Sequence, residues 1–435
     1  MNLTVARRWL GKGFWALTDQ TLFALSNFAL NILLARWLTA VEYGAWSLAF
    51  STFLLVGGLH TALFVEPMLV FAPSRYRDRV SAYLGVLIQW HWRLMVPFSA
   101  AFLVLGLGTS YAGSAVVGRT TAAFALAGPC VLFQWLMRRA CYTQLRPDLA
   151  ASAGVTYMAL VVGGAYALSR IGSLSVLFAV GLLGVASLVS GAGLVWRLGV
   201  ARLAITQSDL YGPALRDHWS YGRWAIAISA MSWVPGNLAY LVLPFSVGLE
   251  SVAALRAVMN VLLPSQHIIG AISSLLLPLF AGSRAKAHFR SLVISLLVCF
   301  AGATLAAWLA TGLFGARLIA ALYHGRYVEH AHLLWLLGLI PVATGVQAVL
   351  GGALRALERP DKVFWPYMLS TIGTLTVGVA MILVWGLTGA TYSLVLAAVL
   401  CSGGMSWQLH RVWTGGSAAP AESTSLAQSA AALRM

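Results

Sequence analysis

Apolar residues run along this chain in long blocks, and polar residues gather in the gaps between them. From Gly13 almost to His410 the blocks follow one another with little interruption. Each is close to the about 20 residues that a helix needs to cross a bilayer. Charged or Pro/Gly-rich breaks divide them into twelve candidate spans, roughly 12–36, 43–70, 82–107, 116–138, 150–169, 174–197, 221–246, 251–280, 290–313, 330–354, 364–386 and 389–411. The strict alternation of a membrane β-barrel, with a turn about every ten residues, is absent. The pattern predicts an all-α, polytopic membrane protein. Residues 1–200 form a first half, 201–220 a linker, 221–413 a second half, and the Ser/Ala-rich stretch 414–435 a disordered tail. The partly apolar stretch 314–329 reads as a loop or an interfacial helix.

Composition agrees. Of the 435 residues, 60% are hydrophobic and 9% charged, against about 25% charged in soluble domains. The apolar run after Arg7, Arg8 and Lys12 is too long for a signal-peptide core and lacks a cleavage site, so it reads as a retained first span. With the N-terminus in the cytoplasm, twenty-one of the 28 Lys and Arg fall on cytoplasmic segments. Only Arg36, Arg119, Arg170, Arg317 and Arg326 fall on the other side, and Arg93 and Arg256 lie within spans. That is the positive-inside bias, repeated at alternate loops. It accounts for the net charge of +16 without nucleic-acid binding, which would need a concentrated basic face. Cys130, Cys141, Cys299 and Cys401 show no metal or redox spacing and read as small apolar residues.

The halves share a faint repeat. Gly13-Phe14-Trp15 precedes Asn27-Phe28-Ala29-Leu30, and Gly222-Arg223-Trp224 precedes Asn237-Leu238-Ala239-Tyr240. Two parallel repeats would be related by an axis along the membrane normal. The loops are too short for a globular domain, and no P-loop, HExxH or GxSxG motif occurs. The sequence therefore predicts a transport or binding protein rather than an enzyme, with no cofactor. The loose cluster His324, Glu329, His330 and His332 reads as a solvated outer segment, not a metal site.

Ionisable groups within a membrane are costly and mark cavities or partners. Asp19, Glu66, Arg93 and Arg256 qualify. Gln20, Asn27 and Asn31 fall within about 40° of one another on the first helix. Arg256, Asn260 and His267 share a stripe on the eighth. Such stripes suit tight helix packing or the wall of a watery cavity. Arg93 and Arg256 are the cavity candidates, unless Arg93 pairs with Glu66 or Asp19, and Arg256 with Glu250 or a backbone carbonyl. Pro235-Gly236 and Pro264 break the seventh and eighth spans, as helices do beside a cavity or at a simple kink.

Three segments carry a resemblance. Ala35-Arg36-Trp37-Leu38-Thr39-Ala40-Val41-Glu42-Tyr43-Gly44 resembles the first outer turn of bacterial polysaccharide flippases, the Wzx-like (PST) branch of the MOP exporter superfamily. Leu354-Arg355-Ala356-Leu357-Glu358-Arg359-Pro360 resembles an inner turn of that family, and Glu66-Pro67-Met68 is similar to a subgroup of it. The resemblance implies two six-helix lobes in a V around a central cavity, in a bacterial inner membrane. It further implies movement of undecaprenyl-diphosphate-linked oligosaccharides between leaflets by alternating access, beside other polysaccharide-assembly proteins. On that reading Arg93 and Arg256 supply positive charge for a diphosphate. Gln20, Asn27, Asn31, Asn260 and His267 line the cavity, and Asp19 and Glu66 anchor Arg93 or carry a coupling cation. The rivals are a multidrug antiporter of the same superfamily, which calls for a more acidic cavity, and a peptidoglycan-precursor flippase. A membrane glycosyltransferase or polymer ligase would need a large outer loop.

Overall fold

A computed structural model describes residues 3–200, 208–283, 287–359 and 361–414. Among these there is no strand. The helices are α1 (Leu3–Trp37), α2 (Ala40–Phe71), α3 (Val80–Tyr111), α4 (Ala115–Thr143), α5 (Pro147–Arg170) and α6 (Val176–Arg197), followed by α7 (Ser208–Ser246), α8 (Leu249–Ala281), α9 (Phe289–Tyr323) and α10 (Val328–Ala356). The last helical segment, Asp361–Thr414, is 54 residues long. Gly386 (φ 54°, ψ −125°) breaks it into α11 (361–385) and α12 (387–414). That backbone conformation needs a residue without a Cβ. The expected tail from 415 onward and residues 201–207 of the expected linker lie outside the described residues.

Local chemistry sets the helix ends. Thr39 caps α2: its hydroxyl accepts the Glu42 N–H, and the Glu42 carboxylate accepts the Thr39 N–H, both at 3.2 Å. This reciprocal box satisfies two donors that would otherwise be orphaned. Prolines inside helices free carbonyls, which other helices then use. Pro129 gives no N–H to Ala125 O, and the Ser99 hydroxyl of α3 donates to that oxygen at 2.6 Å. The stretch 314–323, expected as a loop or interfacial piece, instead continues α9, which ends where His324 turns left-handed (φ 53°). The apolar periodicity there was sufficient to extend the helix beyond the bilayer's thickness.

Helices α1–α6 form one lobe and α7–α12 the other, with matching neighbours: α4 packs on α2, α3 and α6, as α10 packs on α8, α9 and α12. A π-helical turn interrupts α5 (Ala159–Gly163) and its counterpart α11 (Thr374–Gly378). The lobes meet through α2 against α7 and α8, and through α1 against α8 and α9.

The hydrophobic core shows how they meet. At the end holding the α1–α2 and α9–α10 turns, one core draws on both lobes, from Leu30, Tyr43 and Trp46 to Leu243, Leu255 and Tyr323. At the other, basic end, which holds Arg75, Arg77, Arg79, Arg197 and Arg216, there are two separate cores. One belongs to the first lobe (Phe64 to Leu198) and one to the second (Leu276 to Leu409). Helix α8 is buried almost all round from Val252 to Leu262, then exposes Pro264, His267, Ile268, Ile272 and Leu275. The lobes are thus sealed at one end and parted by a cleft at the basic end.

The seal is an exchange of arginines. Arg36, at the end of α1, donates through Nε to Leu322 O and through Nη2 to Ala321 O (2.7 Å), at the end of α9. Arg326, just past α9, donates to Leu38 O (2.6 Å) and Ala35 O (3.5 Å), at the end of α1. Each lobe caps the carbonyl terminus of a helix in the other. Beside this clasp, Gly44 lies directly against the Leu249 carbonyl, an approach that no side chain would allow.

Residues 208–220, expected within a linker, begin α7 and dock on the first lobe. Leu210 and Ala214 enter its core. Arg79 pairs with Asp209 at 2.8 Å, Arg75 pairs with Asp217, and the Tyr76 hydroxyl donates to Asp217 at 2.7 Å. His218 is fully buried between Leu63 O (Nδ1, 2.8 Å) and the Tyr83 hydroxyl (Nε2, 2.5 Å). Leu63 O lacks its usual donor because Pro67 follows four residues later. His218 therefore donates through Nδ1 and accepts at Nε2, as a neutral ring. Burial lowers its pKa from 6.5 to about 4, outweighing the opposing effects of Leu63 O and Asp217. The unfolded chain then binds the extra proton between those values, so this docking stabilises the fold fully above pH 6.5 and is lost as pH falls toward 4. We expect the thermal stability of the purified protein to drop across that range. His218→Gln, which keeps a donor for Leu63 O, should flatten the drop. An identical pH profile in both proteins would remove His218 from this role.

Candidate functional site

Arg256 lies on α8 within the stretch that both lobes bury, about two turns before the helix becomes exposed at Pro264. Its guanidinium lies 5.4 Å from the centre of the Phe50 ring on α2 and 5.3 Å from that of Tyr240 on α7. Its Nε is buried with no hydrogen-bond partner. No ion pair to Glu250 or any other carboxylate forms among the described residues. Asn260, one turn further along α8, donates to the Tyr43 hydroxyl of α2 at 2.8 Å, and Tyr323 donates to Ala257 O at 3.0 Å. Two cation–π contacts contribute about 0.5–2 kcal/mol each. An uncompensated ion out of water costs several kcal/mol. Arg256 is therefore a cation held at the inter-lobe seam without its counter-charge.

Asp19 is the opposite case. It is fully buried, and Arg138 of α4 donates to Oδ1 through Nε at 2.6 Å while the Tyr142 hydroxyl donates to Oδ2 at 2.5 Å. Arg138 also reaches Asp19 O and Gln20 Oε1, each at 3.3 Å, and covers the Phe23 ring at 4.1 Å. The expected partner, Arg93, is not there. Arg93 is exposed on α3, its guanidinium 5.1 Å from the Tyr211 ring at the start of α7. Glu66, just after the π turn of α2 (Thr61–Val65), is exposed as well and pairs with neither. It lies near Tyr221, whose hydroxyl titrates above its usual value through burial and then through Glu66.

The remaining expected residues separate. Asn260 joins Arg256 at the seam. Gln20 and His267 are exposed toward the basic end, on α1 and α8. Asn27 and Asn31 donate to their own helix, to Phe23 O (2.8 Å) and Asn27 O (2.9 Å), and Tyr157 of α5 donates to the Asn27 side chain at 3.3 Å. They work as packing within the first lobe.

Several residues had been missed. Arg138 and Tyr142 lie at and just beyond the end of the expected span 116–138; the i, i+4 spacing that puts both on one helix face is the available signal. His60 and His91, both buried, meet at 3.0 Å between Nε2 and Nδ1, and His91 Nε2 faces Pro129 O at 3.2 Å. His91 must donate to that carbonyl and accept from His60, which leaves His60 Nδ1 a buried acceptor with no partner. The seam aromatics Phe50 and Tyr240 carry no sequence signal that separates them from core residues.

No known protein family and no curated protein matches the sequence. Solved structures do match. A multidrug-resistance MATE transporter of the MOP superfamily, in its inward-facing conformation, aligns with TM-score 0.73 at 17% identity, over 91% of this chain and 98% of that one. The lipid II flippase MurJ, inward closed, aligns with TM-score 0.70 at 11% identity, over 92% and 87%. A MOP-superfamily transporter from Pyrococcus furiosus, described as having a binding pocket of reversed polarity, aligns with TM-score 0.65 at 14% identity, over 92% and 94%. The chain is a multi-pass membrane protein with the MOP-superfamily transporter fold.

Breaking a buried ion pair from one side strands a charge at a cost of about 3–5 kcal/mol. Asp19→Ala should therefore sharply lower the melting temperature of the purified protein, and Asp19→Asn with Arg138→Gln should recover much of the loss. Equal stability of Asp19→Ala and wild type would show that the pair contributes nothing.

Proposed function

We propose that this protein is a flippase that carries lipid-linked oligosaccharides with an anionic diphosphate head across a bacterial inner membrane, by alternating closure of the two ends of the inter-lobe cleft. The observation that supports this reading is Arg256, a guanidinium in the inter-lobe seam beyond the closed end of the cleft, its Nε buried and unpartnered, with no carboxylate paired to it among the described residues. Arginine stays charged and offers planar paired donors, which suits a diphosphate. Asn260, Gln20 and His267 would meet the sugars, and the lipid tail would stay in the bilayer between the parted lobes. Arg93 would act earlier, drawing the anionic head toward the basic end.

The multidrug antiporter reading has the MATE likeness in its favour. A cationic drug needs an accessible carboxylate; Asp19 has both oxygens committed to Arg138 and Tyr142, so that reading would rest on the exposed Glu66. Export of surface polysaccharide in a deletion strain, rescued with wild type or variants, tests the proposal. Deletion should abolish surface polysaccharide and leave lipid-linked repeats on the inner leaflet. Arg256→Ala should cut export by about tenfold to a hundredfold, the loss of one charge-assisted hydrogen bond of ~1.5–3 kcal/mol, at normal membrane levels, and Arg256→Lys should rescue in part. Unchanged polysaccharide with raised sensitivity to cationic drugs would move the assignment to the antiporter.

A further inference from the structure

The arginine clasp borders a pocket of about 520 Å³ at the sealed end, lined by Arg36 and Trp37 of α1, Tyr166, Ser169 and Arg170 of α5, and His324 at the end of α9. Its charge is one-sided: two guanidinium groups and an imidazole line it, and no carboxylate does. Arg36 spends Nε and Nη2 on the α9 carbonyls and leaves Nη1 with no partner among the described residues. Arg170 is exposed and makes no hydrogen bond or ion pair among them. Both belong to the five arginines that fall on the side where basic residues are scarce. Arginine there runs against the orientation bias that governs the other loops, so two converging on one pocket calls for a local reason.

The aromatic wall supplies a second observation. The Trp37 and Tyr166 rings stand 6.3 Å apart, tilted by 52°, and present apolar faces with polar tips beside the cations. Like-charged side chains gathered around an open volume favour an anion. Arginine forks suit phosphate oxygens, and the ring faces suit the carbon skeleton of a polyol. We infer that this pocket binds a phosphate ester carrying a polyol, either glycerol or a sugar. Trp37 and Arg170 belong to the first lobe and His324 to the second, so the pocket is complete only while the clasp holds. Its occupant therefore favours the state that is open at the basic end. The inference is independent of the cargo proposed for the cleft.

The shared head chemistry has two sources, a phospholipid of the adjoining leaflet and a water-soluble phosphate ester. Native mass spectrometry of the full-length protein in detergent, titrated with dihexanoyl phosphatidylglycerol, tests it. Wild type should take up one saturable equivalent and gain thermal stability. Arg170→Ala and Arg170→Gln should bind at least about tenfold more weakly and lose the thermal gain, whereas Arg317→Ala, another exposed arginine of the same end, should behave as wild type. Displacement by glycerol 3-phosphate would show that the head alone suffices, as a soluble ester requires. Retention of the lipid against it would assign the site to the leaflet. Binding that is the same in wild type and both Arg170 variants would overturn the inference.

Discussion

The architecture depends on two arginines that cross the lobe boundary in opposite directions. A helix ends with carbonyls that have no partner in the helix and carry its partial negative charge. α1 and α9 end side by side, and each end is capped by the guanidinium of the other lobe, Arg36 on Ala321 and Leu322, Arg326 on Ala35 and Leu38. Charge-assisted hydrogen bonds contribute about 1.5–3 kcal/mol each, so the four of the clasp contribute on the order of 6–12 kcal/mol before solvent screening of their exposed groups is discounted.

The separate cores at the basic end follow from this. Each lobe must be stable without the other where they part, so Leu84, Leu136 and Met137 belong to a first-lobe core, and Phe280, Val349 and Met405 to a second-lobe core. The exception is the start of α7, which crosses back to the first lobe through Leu210, Ala214 and His218. A helix fixed to one lobe at its start and belonging to the other along its length is a natural pivot. The proline at 67, which frees Leu63 O for His218, is part of the same joint.

The twelve helices were legible because the hydrocarbon thickness imposes one length on every span and the loops sort by charge. Two boundaries were not. Gly386 ends the expected span 364–386, yet the last two helices meet there almost without a loop, since one glycine does the turning. Arg138 ends the expected span 116–138, where a charged residue usually faces water. Here it turns inward, because Asp19 lies across from it. The site was legible only in part. Polar stripes mark helix faces that avoid lipid, and they do so equally for packing and for a cavity. Arg256 and Asn260 lie at the seam, while Asn27 meets Tyr157 of α5 and Asn31 bonds back to its own helix, and a one-dimensional pattern offers nothing to tell the pairs apart.

What tells them apart is whether the fold itself completes the charge. Asp19 has Arg138 and Tyr142, with every strong acceptor satisfied inside one lobe, so moving the lobes does not change its environment. Arg256 has two aromatic faces drawn from α2 and α7, one from each lobe, and a buried N–H with no acceptor. Its surroundings are drawn from both lobes, and among the described residues nothing accepts from its buried N–H. A charge compensated within one rigid body stabilises that body. A charge left uncompensated at the boundary between two lobes leaves an interaction unmade, which an anion brought to that boundary would complete.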